Sequence, residues 1–159
     1  MAVSEKLVGT HYRYPEYYLV GREKIREYAT AVKNTDSAFF SEAVAAELGY
    51  PGLVAPLTFI SVFGYRAQRA FLEHSGINIT DQQIVQVDQV LKFLRPIKDG
   101  DMLFADVYMD EIRKAHGTDL IVMKVIISND DGEAVQESYT TLAGRSEEDG
   151  ESGFNDGTA

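Results

Sequence analysis

The most constraining feature of this chain is the run at residues 55–76, which opens Ala55-Pro56-Leu57-Thr58-Phe59-Ile60-Ser61-Val62-Phe63-Gly64 and closes at Gly76. It predicts one long helix. Pro56 suits the first helical position, where a missing N–H costs nothing and φ is already helical. Gly76 suits the stop, because glycine adopts the left-handed conformation that ends a helix. His74 falls in the last turn, where positive charge is favoured. Leu57, Phe59, Ile60, Val62 and Phe63 make the first half apolar nearly all round, while Arg66, Gln68, Arg69 and Glu73 make the second half amphipathic. A helix apolar on every side must be enclosed. The residues after Gly76 read as strand, so the expected enclosure is a sheet.

Beyond Gly76 the period becomes two. Val85, Val87, Leu91 and Phe93 are expected on one face of a strand, with Gln89 as a buried polar exception and Gln86 on the opposite face. Leu103, Ala105, Val107 and Met109 share a face of the next strand, and Ile121, Met123, Val125 and Ile127 a face of the third. Asn129-Asp130-Asp131-Gly132 is a hairpin signal before a fourth strand at 135–143. Upstream, 18–20 suits a short strand. Ile25, Tyr28, Ala29 and Val32 lie at helical spacing, in a helix ending near Lys33. Ser41 can cap a short helix at 42–48 that Gly49 closes. A long central helix wrapped by a curled antiparallel sheet is α+β, in the hot-dog arrangement.

Composition limits the function. At 159 residues and 45 % apolar content, one domain at 1–145 is expected. Residues 146–159 hold Glu147, Glu148, Asp149, Glu151 and Asp156 with no Lys or Arg, and read as an acidic, Gly-containing disordered tail. That tail carries half of the net charge of −10. The acidic balance argues against a nucleic-acid surface. With no cysteine and three scattered histidines, no cofactor or metal is expected. No apolar run is long enough to span a membrane. Residues 1–6 lack the apolar core of a signal peptide, so the expected location is the cytoplasm. No Gly-x-Ser-x-Gly elbow or Gly-rich phosphate loop is present. Ser61 reads as helix packing, and His11, His74 and His116 stand apart in a leading segment, a helix end and a hairpin turn.

Ala-Pro-Leu-Thr-Phe at 55–59, Gln-Ile-Val-Gln-Val-Asp-Gln at 83–89, His116-Gly117 and Tyr-Thr-Thr-Leu at 139–142 carry a resemblance. Over about 8–145 the chain resembles the noncatalytic chains of the mycobacterial (3R)-hydroxyacyl-ACP dehydratases. These belong to the MaoC-like hot-dog group with a FAS1-type dehydratase domain, and the acidic tail is closest to the HadA-like type. The resemblance implies type II fatty-acid elongation feeding mycolic acid synthesis. Catalytic members of that group share a motif Asp-x-Asn-Pro-x-His, whose acid and imidazole move the proton. An Ala-His-Gly segment follows, where a backbone N–H polarises the thioester carbonyl. Here the Asp position falls on Asn34, the Asn position near Asp36, the Pro position on Ser37 and the His position on Phe39. The glycine falls on Ala55 or Pro56, and Pro56 has no N–H. Neither Asn34 nor Phe39 can shuttle a proton, and Asp36 reads as a turn or cap residue. The chain alone is therefore expected to be inactive.

The resemblance then implies a noncatalytic subunit. Its partners would be a catalytic hot-dog chain, in a heterodimer, and an acyl carrier protein bearing a long-chain 3-hydroxyacyl thioester. Phe59, Ser61, Val62, Phe63, Tyr65, Gln86 and Gln89 are the candidate lining of an acyl tunnel. For Phe59, Val62 and Phe63, simple core packing remains an equal alternative. A self-sufficient homodimeric hydratase using Asp36 or His116, and a non-enzymatic acyl-binding protein, are the competing readings.

Overall fold

The computed structural model describes residues 4–79, 84–115, 117–145 and 154–155. Two short strands, β1 (His11–Arg13) and β2 (Tyr18–Leu19), precede helix α1 (Arg22–Ala31). After a first 3-10 turn at Glu5–Leu7, before β1, a second (Ser37–Phe39) and helix α2 (Glu42–Glu47) lead to a third 3-10 turn (Leu57–Ile60). The long helix α3 (Ser61–His74) comes directly after it. Then come β3 (Asn78–Ile79), β4 (Ile84–Phe93), β5 (Met102–Ala115), β6 (Thr118–Ser128), β7 (Ala134–Arg145) and β8 (Phe154–Asn155). The main sheet is antiparallel in the order β1-β5-β6-β7-β4, with β2 also on β5, while β3 and β8 pair with each other. A six-stranded antiparallel sheet around one long helix is the hot-dog fold.

The alternation that predicts the central strands is what builds the core. Leu103, Ala105, Val107 and Met109 on β5 face Ile121, Met123, Val125 and Ile127 on β6, and all are buried. Phe59, Phe63, Ala67 and Phe71 from the helix complete the layer. A second layer of rings lies over the start of α3. Tyr18 stacks on Phe63 at 5.4 Å between centroids, and Tyr14 and Tyr28 meet Phe63 and Phe59 edge-on. Burial pushes the Tyr18 phenol above its usual range, so it stays neutral.

The long helix differs in detail from expectation. Pro56 (φ −54°, ψ 147°) stands before the helix in extended geometry, and a tight 3-10 turn intervenes before Ser61. Gly76 ends the helix at φ +72°, as predicted. Enclosure is also incomplete. Leu57 and Tyr65 are 64 % and 65 % exposed, so one flank of the helix is open.

Helix α1 ends in a Schellman motif: the Asn34 N–H donates to the Ala29 carbonyl and the Lys33 N–H to the Thr30 carbonyl. Lys33 occupies the left-handed position at φ 56°, where a side chain is strained. Lys33→Gly should therefore raise stability by about 0.5–1 kcal/mol, read as a higher urea midpoint. An unchanged or lower midpoint would show that the lysine's own contacts outweigh the strain.

His116 and Gln83 lie outside the described residues, as does the tail reading apart from Phe154 and Asn155. Those two residues are structured. Phe154 is fully buried and joins the hydrophobic core, and its strand pairs with β3.

Candidate functional site

The site is built by a register irregularity. Residues directly opposite one another on neighbouring strands share a face. Gln86 lies opposite Leu142 and Asp88 opposite Thr141, so Val87 is an extra residue, a β-bulge. Downstream, Gln89 lies opposite Thr140, Leu91 opposite Ser138 and Phe93 opposite Gln136. The bulge therefore turns Gln86 and Gln89 to the same face, toward α3. The expected single face of Val85, Val87, Leu91 and Phe93 does not form: Val85, opposite Ala143, faces outward, while Leu91 and Phe93 face inward.

Gln86 and Gln89 meet Ser61 and Tyr65 across a cleft of about 270 Å³, floored by Gly64, Gln68 and Ser138. Four of the seven residues expected to line an acyl tunnel thus come together. Gln89 is exposed on the rim rather than buried, because β4 is the edge of the sheet. The other three lie elsewhere. Phe59 and Phe63 are buried in the core beneath the tyrosine layer, and Val62 is half-buried against it. Sequence alternation missed Gln68 and Ser138. Gln68 is 8 % exposed and donates from Nε2 to Thr140 Oγ1 at 2.9 Å. Its spacing of four from Gly64 and seven from Ser61 was the available signal.

Every polar group lining this cleft is a neutral amide or hydroxyl. Such a set can hold and orient a ligand through hydrogen bonds. It contains no carboxylate or imidazole for proton transfer.

The segment where the resemblance leads us to expect the proton-transfer positions is built as a turn. Asn34 Oδ1 accepts from the Asp36 N–H at 3.2 Å, and Asp36 Oδ1 accepts from the Ala38 N–H at 3.0 Å. Asn34 is exposed, Phe39 is half-buried against the core, and neither lines the cleft. At the second aligned position, the Ala55 N–H is already used by the Ile97 carbonyl at 2.8 Å. Pro56 has no N–H, so neither residue has a donor left for a thioester oxygen. An acid and an imidazole do meet elsewhere: His11 Nε2 lies 2.7 Å from Asp106 Oδ1, and Arg13 pairs with the same carboxylate. That cluster is on the outer face of β5, since Ala105 and Val107 on either side of Asp106 point into the core. His74 lies against Tyr12 at the end of the helix. Among the described residues no group of three His, Asp or Glu is placed to hold a metal, and no helix is long and apolar enough to cross a membrane.

A second hollow, of about 280 Å³, lies beside the 3-10 turn between Val54, Pro56, Leu57, Phe93, Leu94 and Pro96. Gln136 Nε2 reaches the Leu57 carbonyl at its base, at 3.4 Å. Phe93, on its apolar rim, is 44 % exposed, and on the outer face of β4 Val85 and Val90 are 61 % and 46 % exposed.

Comparison with known proteins agrees with this architecture. The "FAS1-like, dehydratase domain region" family matches residues 6–138. A UPF0336 protein of Mycobacterium tuberculosis is 63 % identical over 159 residues, all of both chains. A second UPF0336 protein of the same organism is 45 % identical over 145 residues, 91 % of this chain and 87 % of that one. The crystal structure of the C-terminally truncated HadBC (3R-hydroxyacyl-ACP dehydratase) complex from M. tuberculosis superposes with a TM-score of 0.79 at 46 % identity. The match covers 87 % of this chain and 97 % of that chain. A MaoC-like dehydratase superposes at 0.82 with 39 % identity, over 89 % of this chain but 43 % of its own longer chain. The chain therefore belongs to the UPF0336 family and carries the FAS1-like dehydratase domain.

Proposed function

We propose that this chain is the noncatalytic, acyl-binding subunit of a heteromeric (3R)-hydroxyacyl-ACP dehydratase. It would act in cytoplasmic type II fatty-acid elongation toward mycolic acids. The observation that carries the reading is the pairing of two features at one place. A cleft of neutral hydrogen-bonding groups, with no acid or base, opens beside a sheet edge left without a partner among the described residues. A long edge strand with exposed valines and a phenylalanine needs cover. A second hot-dog chain laid along β4 would supply that cover and would bring its own proton-transfer pair to the cleft. The HadBC likeness, to a complex of two subunits, supports such a partner. So does the longer MaoC-like chain, of which this fold matches less than half.

In this reading Ser61, Tyr65, Gln86 and Gln89 hold the polar end of the 3-hydroxyacyl thioester. The apolar rim at Leu57, Phe93 and Leu94 lies against hydrocarbon or the partner. The partner's base removes the proton at C2 and its acid protonates the departing C3 hydroxyl, giving the enoyl thioester and water.

The test is turnover of enoyl and 3-hydroxyacyl thioesters by the purified chain, by a catalytic hot-dog chain and by the co-expressed pair. The chain alone should give no detectable hydration, and the pair should give robust activity that co-elutes as one species. Hydration by the isolated chain, at a rate matching the pair, would replace this reading with a self-sufficient homodimer. Acyl binding without any gain on pairing would leave a carrier-like role instead.

A further inference from the structure

The floor of the cleft holds hydrogen-bonding groups that the fold itself does not use. Ser138 is 5 % exposed and Gln68 is 8 % exposed. Gln68 donates from Nε2 to Thr140 and its side chain makes no further hydrogen bond among the described residues, while the Ser138 hydroxyl makes none. Both line the cleft and neither is sealed off from it. Burying polar groups without partners is costly. Two of them at one floor mark a place that a ligand completes.

Gly64 lines the same floor, one turn before Gln68 on α3. It does not take positive φ, and a methyl group there would meet only Ile60 Cγ1, at 3.8 Å, an ordinary contact. Neither backbone geometry nor packing within the chain calls for glycine. Only proline is a poorer residue in a helix interior. What the missing side chain does is keep the floor clear for close approach to the helix backbone.

The lining selects the occupant. No Lys, Arg or His lines the cleft, so a phosphate or carboxylate meets no counter-charge. A hydrocarbon would leave both floor groups unpaired. A neutral amide brings one donor and one acceptor, and matches them. A sheet laid along β4 meets the exposed rim at Tyr65 and Gln89, whereas the floor beneath admits a slender chain. We infer that Gly64, Gln68 and Ser138 form a subsite for an amide of the pantetheine arm, the flexible chain on which a carrier protein presents its thioester. The inference rests on the acyl-binding subunit reading above. It makes these residues determinants of specificity for the arm rather than for the acyl group.

The experiment uses the full chain co-expressed with its catalytic partner. One enoyl group is supplied as the thioester of pantetheine and as that of a plain alkanethiol of matched length, which carries no amide. The wild-type pair should prefer the pantetheine thioester. Ser138→Ala should cut that preference, read as the ratio of the kcat/KM values, roughly tenfold through KM, as one lost hydrogen bond predicts. Gly64→Ala should cut it at least as far by filling the floor, while raising the melting temperature of the chain by about 2–4 °C. A glycine with a purely structural role would not move stability and recognition in opposite directions. A wild-type ratio near one, or a ratio unmoved by Ser138→Ala, overturns this inference and leaves the subunit role standing. Loss of co-elution in Gly64→Ala assigns the floor to the partner chain and overturns it as well. A wild-type pair inactive on both thioesters and on the carrier-protein thioester itself overturns the subunit reading too.

Discussion

Phe93→Lys combined with Leu94→Lys should leave this chain folded and separate it from its catalytic partner. Both residues sit at the end of the edge strand and are nearly half exposed in the single chain, so the lysines can reach water in the monomer. Once a second sheet is laid along β4, the same positions become interior. An unpaired charge buried in an interface costs about 3–5 kcal/mol. Affinity for the partner should therefore fall at least ~100-fold. The expected result is a chain with wild-type circular dichroism that elutes apart from the catalytic partner and no longer raises its activity. Normal co-elution of the double variant would show that the partner docks on some other face.

The second large effect concerns the far end of the molecule. Phe154→Ala should destabilise the chain by about 3–5 kcal/mol, the usual cost of deleting a fully buried ring. At roughly 2–4 °C per kcal/mol for a chain of this size, the melting temperature should fall by about 10 °C. The ring lies directly over Gly144 on β7, and a methyl group there would overlap it. Gly144 does not take positive φ, so the glycine serves close approach rather than a turn. Gly144→Ala should accordingly destabilise the wild type and have almost no effect once Phe154 is alanine. That non-additivity is the signature of a direct contact. A Phe154→Ala chain melting within a degree of wild type would mean that the ring is not seated in solution.

The core was legible because it obeys local periodicity. The inward rows of β5 and β6 read directly as alternating apolar residues, and the Asn129–Gly132 turn carries its own signal in Gly132 at φ +78°. The cleft was only partly legible. Ser61 and Tyr65 share a helix face by spacing alone. Gln86 and Gln89 could not be placed together, because an odd separation puts residues on opposite faces of a regular strand. Val87, which resets the alternation, is an ordinary strand residue with no mark of a bulge. Phe59 and Phe63 are as apolar as a tunnel wall would be, and only the tyrosines brought over them from residues 14–28 commit them to the core. Phe154 was hidden differently. One aromatic in an acidic, glycine-containing stretch looks solvated until its pairing with β3 is seen.

The extra residue at Val87 also bears on misassembly. A straight strand from an unrelated chain, or from a stacked copy, could keep hydrogen-bond register with β4 on only one side of that kink. Fibril growth needs flat edges that repeat without interruption, so this edge stays sticky yet resists indiscriminate templating. Only a neighbour bent to match can zip along its full length.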